Sequence, residues 1–103
     1  MVKAIFGTTD IKITSNVSSA VIMLRYCDYP ECFGHPRQLV SNPAKAADVL
    51  RPTLRSLMRW MMPPKVIFHI EATLEGGVTP VDLRSITDAF TFAGARAVRY
   101  DAN

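Results

Sequence analysis

Few residues in this chain are of the types that do chemistry, and their spacing decides what they could do. Cys27 and Cys32 flank Asp28-Tyr29-Pro30-Glu31, and His35 follows. Zinc would need a fourth ligand, and His69 lies inside a predicted strand. The spacing also matches no standard zinc knuckle. The pair reads instead as two reduced thiols in a hairpin loop, since a reducing compartment disfavours a disulfide. Among the acids, Glu71 and Asp82 could join a two-metal hydrolytic site, which needs several converging carboxylates. A central acid should then come from the first predicted strand, but its middle is Lys12-Ile13-Thr14, and Asp10 lies only at its start. That set is incomplete. Asp82 reads better as a helix-start acid, favoured there by the macrodipole. No nucleophile elbow or Cys–His pair is present. His69, on an apolar strand, reads as a hydrogen-bonded core histidine. The expectation is a protein without catalytic, cofactor-binding or metal-binding residues.

The elements that would position such residues are clearest from Pro64 to Tyr100. Lys65 to Ile70, KVIFHI, is apolar and β-branched and reads as a strand covered on both faces. Thr79 can cap a helix, Pro80 suits its first position, and Asp82 can reach back in a variant of the capping box. Leu83, Ile86, Phe90 and Ala93 then form one apolar stripe, with Asp82, Arg84, Ser85, Asp88 and Thr91 largely outside. Gly94 stands where a left-handed residue ends a helix. Ala97 to Tyr100 makes the next strand, so the whole is a βαβ unit.

Upstream, Met1 to Phe6 reads as an extra strand or a flexible arm. Asp10 to Ser15 alternates as a half-buried strand. Ser19 to Tyr26 is nearly continuous in apolar residues and reads as central. Cys27 to Pro36 reads as a loop, and Arg37 to Val40 as a third strand closing an antiparallel meander. A helix follows, firm from about Val49 to Met61, with Leu50, Leu54, Leu57, Met58 and Met61 as its stripe. Pro52 is tolerable only in a first turn, so Ala44 to Asp48 is expected to be irregular.

The stretch Thr79, Val81, Asp82, Arg84 and Ile86, followed by Gly94-Ala95-Arg96-Ala97-Val98, resembles the bacterial shape-determining protein family MreB. That actin-like family writes T-x-V-E-R-R-A-I and then A-G-A-R-x-V. Weaker colinear likenesses are Met1-Val2-Lys3, Asp10-Ile11-Lys12-Ile13 and Pro43-Ala44-Lys45. The resemblance implies an α/β fold, the ribonuclease-H-like or actin-like core, ordered βββαβαβ. Its mixed five-stranded sheet would run 3-2-1-4-5, with Asp10 to Ser15 as the first strand and two main helices. In the family the first hairpin carries D-L-G-T, whose acid works with the metal and whose glycine admits phosphate. Here Thr14-Ser15-Asn16-Val17 falls on that motif, and neither acid nor glycine is present. Asp82 falls on the glutamate that orients the attacking water. The later E-P-x-A-A motif would begin after Tyr100. The resemblance thus implies one actin-like subdomain whose nucleotide-binding motif is lost.

Composition agrees with one folded domain spanning 1–103. Apolar residues make up 49% and charged residues 20% of 103. No apolar run approaches the roughly 18 residues of a membrane span, and Met1 to Phe6 is too short for a signal peptide. The cytoplasm is therefore expected. Membrane contact through those first residues would be weak at most. A net charge of +3 permits nucleic-acid contact, but the basic residues are spread without a run.

What remains is contact with another protein. Tyr29, Phe33, Trp60 and Met62 lie near predicted element ends and are of types enriched at contact sites. The expectation is a non-enzymatic MreB-like protein. It would meet an actin-like filament or the cell-shape machinery, or associate with itself. The runner-up is a small basic nucleic-acid-binding or regulatory domain.

Overall fold

The computed structural model of the chain describes residues 1–16, 21–35, 38–57, 63–72 and 77–101. Its organising strand is β1 (Val2–Phe6). Val2, Ala4 and Phe6 alternate with Lys3 and Ile5, and all three are at most 1% exposed. Period-two alternation sends the two sets to opposite faces of a sheet. Gly7-Thr8-Thr9 then turns the chain into β2 (Asp10–Ser15), which buries Ile11 and Ile13 on the same face. After residues outside the description comes β3 (Val21–Arg25), antiparallel to β2.

A 3-10 turn, Tyr26–Asp28, leads to a small separate hairpin of β4 (Phe33–His35) and β5 (Gln38–Val40). Helix α1 (Pro43–Leu57), strand β6 (Lys65–Ile70), helix α2 (Pro80–Phe92) and strand β7 (Ala97–Tyr100) follow. Both β6 and its neighbours β1 and β7 run parallel, so the five-stranded sheet has the order β3-β2-β1-β6-β7.

Of the two readings of Met1 to Phe6, the extra strand holds and the flexible arm does not, because Val2–Phe6 fills the centre of the sheet. The rest of the expected sheet is corrected in three ways. Asp10 to Ser15 is displaced one place outward, so it pairs with β1 and not with β6. The Val40 strand leaves the main sheet altogether, since the 3-10 turn redirects the chain and Gln38–Val40 pairs with Phe33–His35. The strand expected to be central is an edge, with Val21 53% and Met23 55% exposed.

Both helices cover one face. Leu50, Leu54 and Leu57 of α1 and Ile86, Ala89 and Phe90 of α2 join Phe6 and Phe68 in a single core. The Phe6 ring meets Phe68 and Phe90 edge-on, each at 6.2 Å between centroids. Each such pair adds about 0.5–1.5 kcal/mol beyond its buried area. Strand β6 is therefore buried on one face only: Val66, Phe68 and Ile70 point into the core, and Lys65, Ile67 and His69 point away.

The helices also depart from expectation. Helix α1 starts at Pro43 and runs unbroken through Pro52. Asn42 opens it, its side-chain oxygen accepting the Lys45 N–H at 3.1 Å. Pro52 removes the bond to the Asp48 carbonyl, but Asp48 and Pro52 are both exposed, so water can serve that carbonyl. Burial of Leu50, Leu54 and Leu57 outweighs the cost. Met58, Trp60, Met61 and Met62 lie outside the described residues. Helix α2 begins with the expected capping box: the Thr79 hydroxyl accepts the Asp82 N–H at 3.3 Å, and Asp82 accepts the Thr79 N–H at 2.9 Å. Asp82, expected outside, is 3% exposed, because that box folds its carboxylate back under the first turn. Gly94, at φ +107°, takes the left-handed end.

Candidate functional site

Three places gather the residues that could act. The first is the rim where β1, β6 and β7 end. Gly7 donates to the Asp10 carbonyl at 2.8 Å, and a Cβ on Gly7 would stand 3.3 Å from that oxygen. The turn thus favours a residue without a side chain. Tyr26 clamps it from beneath: its hydroxyl donates to the Gly7 carbonyl at 2.7 Å, and its N–H donates to the Thr9 carbonyl at 3.0 Å. Burial, helped by the nearby Asp10 carboxylate, pushes the Tyr26 hydroxyl pKa far above the ordinary tyrosine value. The phenol therefore stays a donor at any physiological pH. Glu71 is exposed at the end of β6, continuing its ladder through an N–H bond to the Phe6 carbonyl at 2.9 Å. His69 Nδ1–H donates to the Asp101 carbonyl at 2.9 Å, tying the ends of β6 and β7. His69 is hydrogen-bonded as expected, but it is half-buried on the face away from the core. Asp82 is consumed by its capping box. Among the described residues, no group of three or more His, Cys, Asp or Glu could hold a metal ion.

The second place is the segment from Tyr26 to Val40. Cys27 is an exposed free thiol and Cys32 a buried one. Burial, then the charge of Glu31, pushes the Cys32 thiol pKa up, which leaves it the less reactive. Phe33 is 2% exposed, against the expectation that it forms a contact surface. Its ring packs on Tyr26 at 6.0 Å and on Tyr29 at 6.2 Å, so the three rings fasten this segment to the core. Tyr29 is half-buried at the edge of that cluster. Trp60 and Met62 lie outside the described residues. Glu31 and Lys45 pair at 2.8 Å on the surface, the hydrogen bond lowering the Glu31 pKa and raising that of Lys45.

The third place was not singled out by sequence reasoning. It is the sheet face that no helix among the described residues covers. The strand registers set Val21, Thr14, Lys3, Ile67 and Arg99 in one row across all five strands. The next row holds Met23, Lys12, Ile5 and His69. Among the described residues five cations stand on this face: Lys3, Lys12, Arg25, Lys65 and Arg99 are all exposed. Each strand's polar half carries the signal, but it is legible only once the strands are known to be neighbours.

The chain matches no model of a known protein family, and a search of curated proteins gives no match. No helix among the described residues is long and apolar enough to cross a membrane.

Proposed function

We propose that this chain is an actin-like domain resembling MreB that works by contact with another protein and not by catalysis. The observation that carries the reading is the β1–β2 hairpin. In the resembling family the first hairpin holds D-L-G-T. The first hairpin here turns at Gly7-Thr8-Thr9, and on this reading the motif would correspond to Ile5-Phe6-Gly7-Thr8 in place of Thr14 to Val17. The glycine and threonine are kept. Ile5 replaces the acid, and an aliphatic side chain cannot ligate a hard cation. The antiparallel run β1-β2-β3, followed by β6 and β7 parallel to β1, also suits a ribonuclease-H-like core, with its strands one place earlier than the sequence suggested. Asp82 matches the family's water-orienting glutamate in position, but its carboxylate is buried in the helix cap.

The partner of this reading is an actin-like filament or another member of the cell-shape machinery. Co-sedimentation with filaments of a full-length actin-like protein tests it. Saturable pelleting of the chain with filaments, absent without them, is expected. A chain left in the supernatant at every filament concentration overturns the reading.

A further inference from the structure

Resting on the contact reading above, we infer that the open sheet face is the contact surface and that its occupant is an acidic amphipathic helix of a partner protein. Charge is sorted between the two sides of this molecule. The three ion pairs among the described residues, Lys45–Glu31, Arg51–Asp48 and Arg84–Asp88, all involve residues of the helix layer. None of the five cations of the open face enters one. Asp10 faces Arg25 in the β2–β3 register, and Glu71 and Asp101 mark the rim. Away from that rim, Lys3, Lys12, Lys65 and Arg99 meet no carboxylate across the strands: their register partners are Thr14, Ile67, Ile5, Met23 and Ala97. An occupant must therefore bring the negative charge.

Its apolar side is set by the same rows. Val21 and Met23 are more than half exposed, and Ile5 and Ile67 are half-buried between the lysines. From β3 to β6 these four cross three strand spacings, roughly 14 Å. About ten residues of α-helix span that distance, and its i, i+3, i+4, i+7 positions would supply matching apolar contacts. A helix on this face would also complete the second layer that an α/β sheet normally has. Single-stranded nucleic acid fits less well, because it is held by aromatic platforms for the bases. Among the described residues the phenylalanine and tyrosine rings are elsewhere: Phe6, Phe68, Phe90 and Tyr100 are on the helix side, Tyr26, Tyr29 and Phe33 pack on one another, and Phe92 is on α2, so this face carries the His69 ring alone. Methionine on an exposed surface suits an adaptable protein contact.

The test is fluorescence anisotropy with a labelled peptide of about 18 residues, long enough to be helical alone, carrying leucines along one face and glutamates beside them. Saturable binding is expected, weakened at least about tenfold in the Lys3→Glu/Lys12→Glu double variant and in Met23→Glu. Lys3, Lys12 and Met23 are exposed, and a thermal melt verifies that these variants fold; Lys3→Gln/Lys12→Gln gives a milder second variant. Arg55→Glu on the helix side should bind as wild type does. Absence of saturable binding overturns the inference. So does equal weakening by Arg55→Glu, or tighter binding of an oligothymidylate or of phosphatidylglycerol vesicles. Filament co-sedimentation separates the two readings. If the wild type and the Lys3→Glu/Lys12→Glu variant pellet equally, the surface is wrong and the contact reading stands. If the wild type does not pellet but binds the acidic peptide, the filament partner is wrong and the surface stands.

Discussion

The two faces of the central sheet are built from the same five strands and end in opposite states. On one, Val2, Phe6, Ile11, Val66 and Phe68 are at most 1% exposed beneath two helices. On the other, the residues between them in sequence are lysine, arginine, threonine, Asp10, His69 and a few aliphatics, half-buried or exposed. Alternation alone explains how one strand serves both. The difference shows where stability and where contact reside. Substitutions on the helix side should be read in the melting curve, and those on the open side in binding.

The largest effect belongs to the buried aromatic cluster. Phe90→Ala should lower stability by about 3–5 kcal/mol in denaturant unfolding, because it empties a fully buried ring site. Ile67→Ala, one face away and half-buried, should cost about 1 kcal/mol. Equal losses would erase the contrast between the faces. Next comes Pro52, which removes one backbone hydrogen bond from α1 while remaining exposed. Pro52→Ala should raise stability by up to about 3 kcal/mol, the usual difference between the two residues inside a helix; an unchanged midpoint would mean that the helix is locally bent to suit the ring. Thr79→Ala removes the α2 cap and should cost about 1 kcal/mol. The smallest effect at neutral pH is that of the Tyr26 clamp. Its folded pKa is raised, so its contribution is complete below the unfolded value of about 10 and is lost as pH rises toward the folded value. Stability should therefore fall more steeply above pH 10 in the wild type than in Tyr26→Phe, as followed by urea melts across that range. Parallel pH profiles would exclude Tyr26 as the cause.

How much of this was legible in the sequence differs between the halves of the chain. From Lys65 onward, most local signals agree with the tertiary structure: the Thr79 cap, Pro80, the Ile86–Phe90 stripe and Gly94 each act within one or two turns, while β6 is covered on one face and not on both, and Asp82 is folded under its helix. Upstream the reading slipped by a strand. Met1 to Phe6 reads as an extra strand or a flexible arm, with nothing in its own pattern to make it central. What makes β1 central is its pairing with β6, more than sixty residues away, which no local pattern reports. Phe33 reads as a contact residue from its type and its place near an element end, and only the Tyr26 and Tyr29 rings around it show otherwise. The open basic face was hidden for a related reason: Lys3, Lys12, Lys65 and Arg99 are scattered in sequence and adjacent only across strands.

The four lysines of the chain offer the most direct test of the two-faced account, since Lys3, Lys12 and Lys65 lie on the open face and Lys45 on the helix side. The measurement is acetylation footprinting by mass spectrometry, on the free chain and on the chain bound to the protein it co-purifies with from its native cell. The account predicts that Lys3, Lys12 and Lys65 lose reactivity in the complex while Lys45 keeps it. Protection of Lys45 with the other three unchanged would contradict it.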